Sequence, residues 1–255
     1  MKCDRFPSRI QKLFPLPYPV RFSYRLALFF TMLSCYFLAP QTLVFPGSRT
    51  LSLLSVPVIL LCLSMTLNMA AQHFRFPNMS VARLKQYSPF CDIDPDYDRA
   101  QLKEEVRRQT RGALKVALLW LAVNGAAAIL FFRSIIGAAE LVLLTAFFYL
   151  SDMICILFFC PFQMFLMGNR CCINCRIYSW GAWMMSVPLT LIPSVVTLIP
   201  VVLSLSLLIR WEIHYHRHPE RFWSGSNQVL RCANCREHLC RTKPVPTPGF
   251  RQEDS

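Results

Sequence analysis

Five long, predominantly apolar runs, at residues 26–45, 51–71, 113–132, 135–167 and 182–209, set the terms for any fold this chain can adopt. A backbone polar group left unpaired in hydrocarbon costs several kcal/mol, and a helix pairs its own groups within one segment. The runs do not alternate polar with apolar residues, so a transmembrane barrel is not expected. With 54% of residues apolar and only 16% charged, the composition points to an all-α membrane protein, a polytopic helical bundle.

The formal net charge is +13, and its distribution carries the information. Lys and Arg gather before residue 26, in the stretch 72–112 and after residue 209, while the short connections near Arg49 and Arg133 hold one each. That asymmetry is the positive-inside pattern and predicts a cytoplasmic N-terminus, loop and C-terminus, as in a bacterial inner-membrane protein. Basic segments beside anionic headgroups make the lipid bilayer the expected partner, together with a protein partner at the cytoplasmic face, and need no nucleic acid. The proline-broken N-terminal arm carries no cleavable signal peptide pattern.

Four spans from a cytoplasmic N-terminus return the chain to the cytoplasm, and a fifth full span would export the strongly basic tail. The run 182–209 resolves this if it folds back: as one straight helix it would reach about 42 Å, beyond the ~30 Å hydrocarbon core. Pro188, Pro193 and Pro200 also interrupt it. A re-entrant hairpin turning near Pro193, with limbs of roughly 10 to 15 residues, keeps the tail inside. A kinked fifth span with an external tail is the alternative. The expected organisation is a basic arm (1–25), a helical hairpin of spans 1 and 2 (26–71), and a cytoplasmic loop with an interfacial helix (72–112). Spans 3 and 4 (113–167), a first Cys knuckle (168–181) and the hairpin or fifth span (182–209) follow. A juxtamembrane segment with a second Cys knuckle (210–243) and a flexible tail (244–255) complete it.

The two knuckles nearly repeat each other, CCINCR at 171–176 and RCANCR at 231–236. A Cys-x-x-Cys turn directs two thiolates to one tetrahedral metal, so Cys172, Cys175, Cys232 and Cys235 make a complete four-thiolate set, with Cys171 and Cys240 as additional thiols. Asn174 and Asn234 suit left-handed backbone in tight turns, and Arg176 and Arg236 can offset the charge of a four-thiolate zinc or iron centre. The pattern resembles the paired knuckles of zinc ribbons and rubredoxins, which carry Gly where Arg stands here; the resemblance implies a metal and no role. An iron–sulfur cluster takes the same four ligands, and disulfides remain the rival if the tail is external.

In the fourth span Thr145, Tyr149, Asp152, Cys155, Cys160 and Gln163 fall on about half of one helix circumference. Asp152 is expected to face the bundle interior, and Asp152, Cys155 and Cys160 are candidates for an intramembrane polar path. Cys160-Pro161 resembles the Cys-Pro pair of soft-metal pumps. Upstream, Asp98 can cap a helix with Gln101 at the capping-box position and Glu104 paired with Arg108. The alternate histidines 214, 216 and 218 lie on different faces. No phosphate loop or hydrolase motif is present. The expected role is a non-enzymatic scaffold, assembly factor or regulator with a cytoplasmic zinc site. The alternatives are an iron or iron–sulfur electron carrier using the same thiolates, and a soft-cation transporter along the polar path.

Overall fold

The computed structural model describes residues 18–43, 56–73, 80–169 and 171–234. Within these the chain is helical, and its nearest approach to a strand is an isolated antiparallel bridge between Ile93 and Asn227. Helix α1 spans Tyr18–Leu38, α2 Val56–His73, α3 Val81–Leu84, α4 Arg99–Phe132, α5 Ala138–Leu157, α6 Gly181–Ser186 and α7 Val195–Arg217. Four of them, α2, α4, α5 and α7, are long and apolar enough to cross a membrane.

Those four are not the four runs first expected to span. The first run stops as α-helix at Leu38, because Pro40 offers no N–H and disfavours helical backbone in the residue before it; a 3₁₀ turn, Pro40–Leu43, follows. The stretch 182–209 does turn back, at Ile192–Ser194, but with unequal limbs. The outgoing limb, from Arg176 to Leu191, is a succession of short 3₁₀ and α segments. The returning limb is α7, a continuous 23-residue helix in place of the short limb expected. Ser194 caps it, its Oγ accepting from Thr197 N at 3.2 Å while Ser194 N donates to Thr197 Oγ1 at 3.0 Å. Pro200 stands in its second turn without ending it.

The stretch 72–112 departs from expectation as well. Instead of an interfacial helix separate from the third span, α4 runs unbroken for 34 residues, about 51 Å. Asp98 caps it as anticipated, with Oδ1 2.7 Å from Ala100 N and 3.3 Å from Gln101 N. The ion pairs are shifted from Glu104–Arg108: Arg108 pairs with Glu105 at 2.7 Å and Glu104 with Arg111 at 3.5 Å. Gly112 does not end the helix. It serves a close approach, since a Cβ there would lie 2.9 Å from Leu166 O and 2.9 Å from Met167 Sδ.

The fourth run, 135–167, is likewise two elements. Pro161 ends α5 at Leu157, and a π-turn, Phe162–Leu166, bends the chain toward α4 before Gly168 reverses it at φ +59°. Cys160 and Gln163 therefore leave the helix face that carries Thr145, Tyr149, Asp152 and Cys155.

Helix α1 packs along α5 and α2 along α7, with α6 between α5 and α7. Their shared core holds Met32, Leu61, Met65, Met69, Val142, Tyr149, Met185 and Leu207. Beside it a buried charge is paired: Arg25, 2% exposed, donates to Asp152 Oδ2 at 2.8 Å and to Tyr149 O at 2.7 Å, and lies 3.9 Å over the Tyr149 ring. Asp152 thus faces other helices, as expected of an intramembrane carboxylate. Helix α4 stands to one side and exposes Leu114, Leu118, Leu121, Ile129 and Phe132, as a lipid-facing helix does.

Candidate thiol and metal centre

The first knuckle is a turn over Cys172–Asn174, closed by Cys175 N donating to Cys172 O at 3.3 Å. Three neighbours hold it. From the π-turn, Gln163 accepts from Cys172 Sγ at 3.4 Å through Oε1, and its main-chain oxygen accepts from Asn169 N at 3.0 Å. Asn169 Oδ1 then accepts from Cys171 N at 2.9 Å. From α4, Ala113 and Val116 pack with Cys175 and Ile177. From the loop ahead of α4 comes Lys85.

Lys85 is 1% exposed, although nothing in its sequence surroundings marks it for burial. Its ammonium donates to Ile173 O at 2.5 Å and to Cys175 O at 3.2 Å, the two main-chain carbonyls flanking Asn174. It also stands 5.3 Å from the Trp211 ring centre and 5.2 Å from that of Phe222, in cation–π range. Among the described residues no carboxylate pairs with it. Burial pushes the Lys85 ammonium down to about 8, opposed by the thiols of Cys175, Cys171, Cys91 and Cys172. Burial likewise pushes the Cys175 thiol up to about 12, reinforced by Cys160 and Cys172 and opposed by Lys85. The break in α5 has therefore moved Cys160 out of the expected intramembrane path and into the surroundings of the knuckle.

Arg176 does not stand over the thiols as expected. It is 5% exposed and turns toward α7, where Nη2 donates to Glu212 Oε2 at 2.7 Å and the guanidinium covers the Tyr215 ring at 4.2 Å. Its Nη1 donates to Thr110 Oγ1 on α4 at 2.7 Å. Glu212 also accepts from Trp180 Nε1 at 2.7 Å, so one carboxylate fastens both ends of the 3₁₀ segment Arg176–Trp180 to α7. Asn174 differs as well: among the described residues other than glycine, Ser134 alone has positive φ, so Asn174 needs no left-handed backbone.

The second knuckle is delivered by the stretch after α7, which docks on the loop ahead of α4, a pairing that the sequence reading did not anticipate. Asp94 N donates to Ser226 O and Gln228 N to Asp92 O, each at 2.8 Å, flanking the Ile93–Asn227 bridge. The acidic stretch CDIDPDYD thus docks the chain that leads into the knuckle, and Arg231 approaches Asp94 at 3.7 Å. Leu230, 2% exposed, then packs with Ile173 and Ala82 in a small cluster that Cys171 also joins. Cys232 follows in an exposed 3₁₀ turn, Cys232–Asn234, two residues beyond this anchor. Cys235, Arg236 and Cys240 lie outside the described residues.

The described part of the four-thiolate set is thus brought to one end of the molecule, with Cys172 and Cys175 buried and Cys232 exposed. Among the described residues, no three His, Cys, Asp or Glu side chains are gathered closely enough to hold a metal ion. Of the polar path, Asp152 is bound to Arg25, Cys155 stays half-buried on α5, and Cys160 sits beyond the break. The three histidines diverge: His216 faces Glu212 at 3.6 Å and His218 faces Glu220 at 3.2 Å, while His214 lies near the Tyr87 ring. Comparison with protein-family models, with curated proteins and with solved structures finds no match to this chain.

Proposed function

We propose that this is a non-enzymatic integral membrane protein, a scaffold, assembly factor or regulator, whose cytoplasmic end carries a zinc site made by Cys172, Cys175, Cys232 and Cys235. The observation that carries the reading is the seat of Leu230 against Ile173, the residue between Cys172 and Asn174. It holds the start of the second knuckle beside the middle of the first. The buried Lys85 ammonium supports the same reading, because a tetrathiolate zinc centre carries two negative charges and Lys85 has no carboxylate partner among the described residues.

In this reading α1 also crosses, alongside α5, so that the N-terminus, the first knuckle and the tail share the cytoplasmic face, and the turn at Ile192–Ser194 lies within the membrane with Ile192 packed against the core. The transport alternative loses its central residue, since Asp152 is neutralised by Arg25.

The test is metal analysis of anaerobically purified protein. One zinc per chain is expected, with loss of the metal in Cys172→Ser and in Cys235→Ser and faster proteolysis of the tail in both. A coloured iron centre in the same stoichiometry would replace zinc by the electron-carrier reading. Full metal content in either variant would refute the shared site.

A further inference from the structure

Cys-x-Asn-Cys-Arg occurs twice, yet neither Asn174 nor Arg176 does what the repeat suggests for a metal site. Both line one small, partly open space beneath the first knuckle, of about 10 Å³. On three of the residues that line it a side-chain atom is buried without a hydrogen-bond partner: Asn174 Oδ1, Gln109 Oε1 and Arg176 Nε. Gln109 and Arg176 are only 6% and 5% exposed. The orientation of the Gln109 amide is set by its Nε2, which donates to Glu105 Oε1 at 2.7 Å; reversing it would bring two oxygens together. The Arg176 fork is fixed by Thr110 and Glu212, which leaves Nε–H as its remaining buried donor.

We propose that this space is a specific site for one structural water molecule, which donates to Asn174 Oδ1 and Gln109 Oε1 and accepts from Arg176 Nε–H. Two acceptors and one donor are what a single water satisfies with three hydrogen bonds, and the space is just large enough for one. A cation is a poor occupant because the set includes the guanidinium N–H, and an anion because it includes two amide oxygens. Glu105 does not compete, since its carboxylate already accepts from Arg108 and Gln109.

The water gives the two non-cysteine positions of the repeat a shared task. Through it the central Asn of the first knuckle is joined to α4 by Gln109 and, by way of Arg176 and Glu212, to α7. Asn234 is engaged differently, its Nδ2 donating to Gln228 O at 2.8 Å, so this hydrated anchor belongs to the first knuckle. The assignment does not depend on the zinc reading.

Radiolytic labelling tests it, because hydroxyl radicals formed from a bound water mark adjacent aromatic rings that bulk solvent does not reach. Tyr215 and Phe222 line the space and are 3% and 5% exposed. Met65, at 0% exposure inside the apolar core, is the control. Tyr215 and Phe222 should label well above Met65, and after rapid mixing into H₂¹⁸O should take up ¹⁸O with a delay that exposed residues lack. Gln109→Met, similar in size but without the acceptor, should bring both down to the Met65 level. Wild-type labelling no greater than that of Met65, or with no ¹⁸O delay, overturns the site. Undiminished delayed labelling in a folded Gln109→Met protein overturns the three-point assignment. If that variant does not fold, the wild-type ¹⁸O delay decides alone.

Discussion

Trp211 Nε1 donates a 2.7 Å hydrogen bond to the main-chain carbonyl of Arg176, 35 residues earlier in the chain. The indole is wholly buried, so the contact brings the beginning of the outgoing limb and the end of α7 to one level. Reporters fused after Gly181 and after Ser255 should therefore give the same cytoplasmic signal. Opposite signals from the two fusions would place a full membrane crossing between them.

The Arg176–Glu212 pair should be among the costlier contacts to break. Its side chains are 6% and 24% exposed, and removing the acid leaves a buried guanidinium without a counter-charge. Glu212→Gln is expected to destabilise by about 3 kcal/mol, since losing one partner of a buried pair costs more than the pair contributes. Thermal unfolding in detergent, followed by tryptophan fluorescence, measures it. An unchanged midpoint would mean that water already screens the pair.

Asp152→Asn should lower the folded yield, because Arg25 then lies buried beside a neutral amide, at a cost of about 3–5 kcal/mol. The double variant Arg25→Met with Asp152→Asn should recover most of it. A Cβ at Gly181 would lie 2.7 Å from Asp152 Oδ1, so Gly181→Ala should be harmful alone and better tolerated together with Asp152→Ala. Equal effects in both backgrounds would show that the carboxylate is not what excludes a side chain there.

Lys85 supplies a pH dependence whose sign is fixed. Its proton is held at a folded-state value near 8 against an ordinary 10.5, so between those values the unfolded chain binds more proton and stability rises with pH. Cys175 acts in the opposite sense, but only above its ordinary value near 9. In metal-free protein, stability relative to Lys85→Met should thus grow from pH 8 to pH 9, by about 1 kcal/mol at most. A flat difference across that interval would show that Lys85 keeps its usual proton affinity.

Much of the architecture was legible because the bilayer demands long apolar helices and proline marks their ends. The turn near Pro193, the Asp98 cap and the interior position of Asp152 follow from residue type alone. What could not be read were relations between distant segments. The continuity of α4 through Gly112 depends on the neighbouring π-turn, which makes that glycine a point of close approach instead of a helix end. The polar path assumed an unbroken helix from Thr145 to Gln163, and Pro161 ended it. Burial of Lys85 carried no local signal, because its partners are carbonyls and rings that only the fold brings together. Arg176 was assigned by its nearness to cysteines in sequence, whereas Glu212, returning on α7, claims it in space.

Asp92 and Asn227 meet across 135 residues of chain, through Asn227 Oδ1 accepting from Asp92 N at 3.2 Å. This has a consequence for the order of events during synthesis. The loop that receives Ser226–Arg231 leaves the ribosome long before its counterpart exists, so the cover over Ile173 and Ala82 comes late, after α7 is made. Until then the nascent chain presents an open apolar seat beside the first knuckle, and a ribosome stalled before Leu230 would leave that seat displayed for proteases to find.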